Sequence, residues 1–196
     1  MAGLTCSIII PVFNQSDAFL EKALVSAAKC YSDETEILVV DSGSSMPISE
    51  LFLSKYSFVK FSRFENNLGL FANWNRAMTL SQSRFIWFLC SDDEIVPETF
   101  SFCLNAIKRS PNTAMVASAG QVVLTDGQKV ERIGQAFAQG VYNGPSAGRV
   151  LLAFNASTSR NPFPYLGAQR GRPTPPCRRY RSALLACRAS RKDQCP

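Results

Sequence analysis

"WFLCSDDEIVP", residues 87–97, decides how the rest of the chain is read. An apolar run ends abruptly on three acids, Asp92, Asp93 and Glu94, and a proline follows at 97. Like charges this close repel one another, so the acids are either well solvated or serve a ligand. On this tripeptide alone, a solvated turn before a helix at Pro97 is the simpler reading. The choice depends on what stands at the ends of the other apolar runs.

Three such runs precede it. "CSIIIPVF" is β-branched and continuous, as in a strand buried on both faces. "EILVVD" and "FVKFSRF" are two more strands, and "RFIWFL" is the fourth. Helical stretches alternate with them. "SDAFLEKALVSAAKC" puts Phe19, Leu20, Ala23, Leu24 and Ala27 on one face, with Ser16 as N-cap and Asp17 at the positive end of the dipole. "PISELFLSKY" is a short helix with Pro47 at its first position. "NNLGLFANWNRAMTLSQ" opens as a turn and becomes a helix. "PETFSFCLNAIKRS" starts on Pro97 and carries Lys108 and Arg109 in its last turn.

The β-α-β-α-β-α-β-α rhythm predicts an α/β fold, a mixed but mostly parallel sheet covered by helices on both faces. Ligands of such sheets bind beyond the carboxyl ends of the strands. Polar residues stand at those ends: Asn14 after the first strand, Asp41 after the second, Asn66 and Asn67 after the third, Asp92 and Asp93 after the fourth. The acids of the opening stretch are therefore expected to face a crevice. Adjacent carboxylates there suit a hard cation, Mg²⁺ or Mn²⁺. Asp41 fits two uses, capping its own turn or accepting hydrogen bonds from a nucleoside. Trp74 and Trp87 read as core, and Arg76 as a solvated helix residue. Further on, Asp126-Gly127 between "QVVLT" and "QKVERI" marks a hairpin, an antiparallel addition to the sheet. "GPSAGRVLLAFNAS" reads as one helix.

Composition narrows the chemistry. The chain of 196 residues has no histidine, so Ser-His and Cys-His nucleophile systems are excluded. Its seven cysteines include no C-x-x-C pair, and a zinc site is not expected. The first four, at 6, 30, 90 and 103, read as core or near-core thiols. No Walker-type or G-x-G-x-x-G phosphate loop is present. No apolar run reaches the ~18–20 residues that span a bilayer, and the start reads as a folded strand of a cytoplasmic protein.

"SIIIPVFN", "EILVVDSGSS", "ENNLGLFANWNRAM" and "FIWFLCSDDEIVPETF" together resemble the inverting family 2 glycosyltransferases, which have the GT-A fold. The likeness covers roughly residues 5–110. It implies a uridine or deoxythymidine diphospho-sugar donor, a divalent metal, and a glycan or lipid-linked acceptor that could bring the protein to the inner face of the membrane. It implies that Pro11, Phe13 and Asn14 lie under the base and that Asp41 reaches the base. Asn67 and Asn75 would line the donor pocket. Asp92 and Asp93 would contact ribose and metal. Two departures stand out. Cys90 occupies a position where many members have an acid. The family's acceptor-activating carboxylate has no counterpart, since Asp193 is the only acid after Glu131.

Charge divides the chain in two. Residues 1–159 hold 12 Lys and Arg against 14 acids, whereas residues 160–196 hold 9 against one. The first segment is the expected glycosyltransferase domain, in its donor-binding part. The second reads as a disordered arm or as the product of a shifted reading frame, lacking the acceptor site and base. Without a recognition motif, its charge does not imply nucleic-acid binding.

Overall fold

The computed structural model describes residues 4–110, 113, 115–118, 120–123, 129–133 and 184–187. Strands β1 (Cys6–Val12), β2 (Thr35–Asp41), β3 (Val59–Arg63) and β4 (Phe85–Phe88) alternate with helices α1 (Asp17–Ala28), α2 (Glu50–Ser54), α3 (Leu70–Leu80) and α4 (Pro97–Arg109). β5 (Met115–Ala117), β6 (Gly120–Val123), β7 (Lys129–Ile133) and β8 (Leu184–Cys187) follow. The main sheet has the order β3-β2-β1-β4-β8-β5. β1 to β4 are parallel, and β8 runs antiparallel to both β4 and β5.

The continuous apolar character of β1 and β2 follows from their central position, with helices against both faces. On one face Cys6, Ile8, Ile10 and Val12 of β1 meet Leu20, Ala23, Leu24 and Ala27 of α1 and Phe100, Cys103, Leu104 and Ile107 of α4. Phe52 of α2 joins the same cluster. On the other face Ile9, Leu38, Val40 and Ile86 pack with Ala77 of α3. Trp87 is 1% exposed and meets Phe100 edge-on, so it is core. Trp74 stacks on Phe88 with ring centroids 4.5 Å apart.

Several local expectations shift. α2 begins at Glu50 with Ser49 as its cap, accepting from the Phe52 amide, so Pro47 lies outside the helix. Ser16 takes the N-cap backbone position of α1 without a side-chain hydrogen bond, and Phe19 is only half-buried. β6 and β7 pair antiparallel, but as a separate two-stranded ribbon and not as an addition to the main sheet. The Asp126-Gly127 turn and the helix expected at residues 144–157 lie outside the described residues. β8 lies inside the basic segment 160–196. It uses the tail's "LLAC" run, which is uncharged and free of proline, and the remainder of 160–196 lies outside the described residues.

Candidate functional site

The strand order reverses direction between β1 and β4, with β2 and β3 on one side of β1 and β4 on the other. Such a switch point leaves a crevice beyond the strands' carboxyl ends. Here the sequence widens it. The β1–β4 ladder runs to Ile9↔Phe88, closed by the Leu89 amide donating to the Ile9 carbonyl at 2.9 Å. The next rung of a parallel ladder needs an amide N–H at residue 11, and Pro11 has none. β1 continues beside β2 as far as Val12↔Asp41. The two strands that carry Asn14 and Asp92 therefore separate at this edge. Gln15 spans the gap, its side-chain amide donating to Ser91 Oγ at 3.1 Å.

On the β1 side Phe13 is 47% exposed at the rim. Asn14 has φ 50°, a left-handed conformation that asparagine tolerates better than most residues. Its amide donates to Ser44 Oγ at 2.8 Å, and its Oδ1 accepts from the Ser45 amide at 2.8 Å and Ser45 Oγ at 2.9 Å. Asn14 thus ties the β1 end to the loop after β2.

Asp41 stands at the carboxyl end of β2 as expected, but its carboxylate is wholly buried. Oδ1 accepts from the Ser44 amide at 2.9 Å and Oδ2 from Arg63 at 2.6 Å. The next loop presses on this one. A Cβ on Gly43 would lie 2.8 Å from the Glu65 carbonyl oxygen, and Gly43 has φ +81°. Asn67 Oδ1 accepts from the Gly69 amide and from Asn73 Nδ2. Asn73 Oδ1 in turn accepts from the Leu68 amide and Arg76. The Arg76 guanidinium also donates to the Asn66 carbonyl and lies 4.0 Å from the centre of the Phe64 ring. Arg76 is therefore a loop anchor. Asn75 is exposed with Phe71 and Thr79 on α3, and the amide that braces Asn67 is Asn73.

On the β4 side a turn follows the strand, the Asp93 amide donating to the Cys90 carbonyl at 2.9 Å. One potential ligand atom from each of Cys90, Asp92 and Asp93 lies within 4.8 Å of the others. Asp93 is 6% exposed, and Asp92 and Cys90 are half-buried. Ligands on opposite sides of a cation at ~2.1 Å stand about 4.2 Å apart, so small side-chain movements bring this set onto one ion. The two carboxylates suit Mg²⁺ or Mn²⁺, and the thiol is a softer donor than either prefers. The other early thiols lie in the core. Burial pushes Cys103 up to about 11 and Cys30 up to about 12, which leaves both protonated and inert.

The structure thus gathers Asn14, Asp41 and Asn67 into one chain of braced loops. Asp92 and Asp93 lie across the crevice. Sequence reasoning missed Gln15, Ser44, Arg63 and the bracing role of Asn73. The signal for Arg63 is its register opposite Asp41 on β3, which the sequence does not print.

The glycosyl transferase family 2 model matches residues 7–160. The chain belongs to this family. Among curated relatives, cholesterol galactosyltransferase of Borreliella burgdorferi is 28% identical over 115 residues, 57% of this chain and 31% of that protein. Chondroitin synthase of Escherichia coli is 26% identical over 148 residues, 74% of this chain and 20% of that protein. The chain therefore spans less than a third of these relatives' length. The solved structure of S. aureus TarS 1-349 superposes with a TM-score of 0.51 at 25% identity, covering 66% of this chain and 39% of that 1-349 chain. Family 2 membership and the TarS likeness agree with the GT-A architecture described above. Among the described residues no helix is long and apolar enough to cross a membrane.

Proposed function

We propose that this chain binds a uridine or deoxythymidine diphospho-sugar in the β1–β4 crevice. It would serve inverting transfer to a glycan or lipid-linked acceptor in cytoplasmic polysaccharide assembly. The observation that carries this reading is the convergence of Cys90, Asp92 and Asp93 to within 4.8 Å beside the opened end of β1. Asp93 and Asp92 would hold Mg²⁺ or Mn²⁺, which when bound offsets the charge of a diphosphate leaving group. Pro11, Phe13, Asn14 and Asn67 would border the nucleoside, with Asn75 nearer the open side. The names of the two curated relatives favour a sugar-bearing or lipid acceptor.

A second reading is a donor-binding chain that does not turn over. It is favoured by the run of residues 132–192, which holds no Asp or Glu to take the acceptor's proton. Calorimetry with UDP separates binding from its absence. Mn²⁺ should raise wild-type affinity at least tenfold over an EDTA control, and Asp93→Ala should abolish that increment. Equal affinity in all three samples would overturn the donor-site reading. A transfer assay against glycan and lipid acceptors then distinguishes the two readings.

A further inference from the structure

The turn after β4 sets a sulfur where two acids converge. The Asp93 amide donates to the Cys90 carbonyl at 2.9 Å, which reverses the chain and brings the two ends of the turn together. Ser91, between them, accepts from the Gln15 side-chain amide at 3.1 Å, and this bond ties the turn to the end of β1. Cys90, Asp92 and Asp93 then each offer a ligand atom within 4.8 Å of the others. Cys90 differs from the thiols of the core. Cys6, Cys30 and Cys103 are buried, whereas Cys90 is half-buried. The core thiols pack among apolar side chains, and this one stands among oxygen donors at the crevice.

The chemistry of the set follows from its atoms. Two carboxylates alone make a hard site, suited to Mg²⁺ or Mn²⁺. A thiolate beside them favours a softer cation such as Co²⁺ or Zn²⁺, and Mg²⁺ gains little from sulfur. Three protein ligands still leave positions open for phosphate oxygens.

We propose that Cys90 is a third protein ligand of the cation held by Asp92 and Asp93, and that its sulfur sets which cation this chain prefers. The inference rests on the metal role given to those two acids above. When the ion binds, a metal–sulfur bond forms and the thiol proton leaves to solvent; nothing is oxidised or reduced. Affinity alone does not test this, because divalent cations tighten from Mn²⁺ to Co²⁺ on almost any donor set. The measurement has to see the sulfur.

The test is a Co²⁺ titration of the full chain followed by absorption spectroscopy, on wild type, Cys90→Ser, Cys90→Asp and Asp93→Ala, with a melting temperature for each. A cobalt–thiolate bond gives a charge-transfer band in the near ultraviolet that carboxylates do not give. Wild type should show the band. Cys90→Ser should lose it without a fall in melting temperature. Asp93→Ala keeps the thiol but should need about tenfold or more Co²⁺ to develop the band, since losing a ligand costs at least as much as losing an outer-shell partner. That response separates the site from Cys177, Cys187 and Cys195. Cys90→Asp should lose the band and shift the preference towards Mg²⁺ over Co²⁺ by about tenfold or more, read by competition calorimetry. The proposal is overturned if wild type gives no band, if the band survives in Cys90→Ser, or if Cys90→Asp leaves the Mg²⁺ to Co²⁺ preference unchanged. Calorimetry with UDP keeps the two readings apart. Metal-dependent UDP binding without a band sinks the sulfur ligand alone. A band with no UDP binding under any cation sinks the donor site and leaves the sulfur ligand standing.

Discussion

The two edges of the parallel sheet both bury polar groups, and they treat them differently. At the amino edge Ser7, Glu36, Ser81 and Ser83 are all nearly inaccessible. Glu36 accepts from Ser7, from the Gln82 amide at 2.9 Å and from Lys60 at 2.8 Å. Ser7 Oγ also lies 2.7 Å from Ser81 Oγ and 2.6 Å from Ser83 Oγ, and Ser83 donates to the Phe85 carbonyl. That network closes on itself and ties the α3–β4 connection to β1 and β2. At the carboxyl edge the groups border a crevice, and the turns that hold them take left-handed backbone conformations. Asn14, Gly43 and Gly69, the positive-φ positions among the described residues, follow β1, β2 and β3 in turn. Glycine takes such turns without cost and asparagine tolerates them better than most residues. A self-satisfied edge is a fastening, and the edge that opens on a crevice is the one proposed as the site.

Gly43→Ala should break the comparison most severely. The added methyl meets backbone atoms at 2.8–3.0 Å from Glu65, Asn66 and Asn67, and φ is +81°. Backbone cannot swing aside as a side-chain end would. A loss on the order of 2–4 kcal/mol in urea unfolding is expected, with weaker nucleotide binding. Gly69→Ala is the control. Its φ is +85° but its Cβ would meet nothing within 4 Å, so only the backbone term remains. Equal losses at the two positions would show that the press of the β3–α3 loop on the β2 loop is unimportant.

What the sequence made legible follows from this contrast. Continuous apolar runs announced β1, β2 and β4, because strands covered on both faces need nothing else. Polar strand ends announced Asn14, Asp41, Asp92 and Asp93, because position along one strand is local information. Partners across strands were not legible. Asp41 meets Arg63 only through the β2–β3 register, and Ser7 meets Ser83 across 76 residues. Asn73 and Asn75 flank the same tryptophan, and only helical phase decides that Asn73 turns inward. β8 was missed because a four-residue strand between β4 and β5 draws on backbone pairing that no period reveals.

Glu36→Gln tests the closed edge. Burial alone would raise this carboxyl, but hydrogen bonds from Lys60, Ser7 and the Gln82 amide outweigh it and hold it below its ordinary value of 4.5. A depressed folded value means the carboxylate's contribution is present above the unfolded pKa. It is lost as pH falls through the folded one. At pH 7, Glu36→Gln should cost about 1–2 kcal/mol, and UDP affinity should stay unchanged. As pH falls through the depressed folded value the wild type should lose this advantage and the two unfolding curves should converge. A changed UDP affinity would show that the edges are coupled and that the fastening is part of the site.

The smallest effect belongs to Lys60. Its side chain is 57% exposed while Glu36 is 4% exposed, so the pair is half in water. Solvent already stabilises the ammonium, and freezing a lysine side chain opposes the Coulomb gain. Lys60→Ala should therefore cost only about 0.5 kcal/mol at pH 7. Glu36 would keep its bonds from Ser7 and the Gln82 amide. Its folded pKa would move up towards the ordinary value, so the pH-dependent part of stability should shrink by about the loss seen at neutral pH. Urea unfolding at pH 7 and at successively lower pH, down through the titration of Glu36, measures both quantities. If Lys60→Ala costs as much as Glu36→Gln, the amino edge is held by the ion pair and not by its closed set of hydroxyls and amides. The distinction between a self-satisfied edge and an open one would then lose its physical basis.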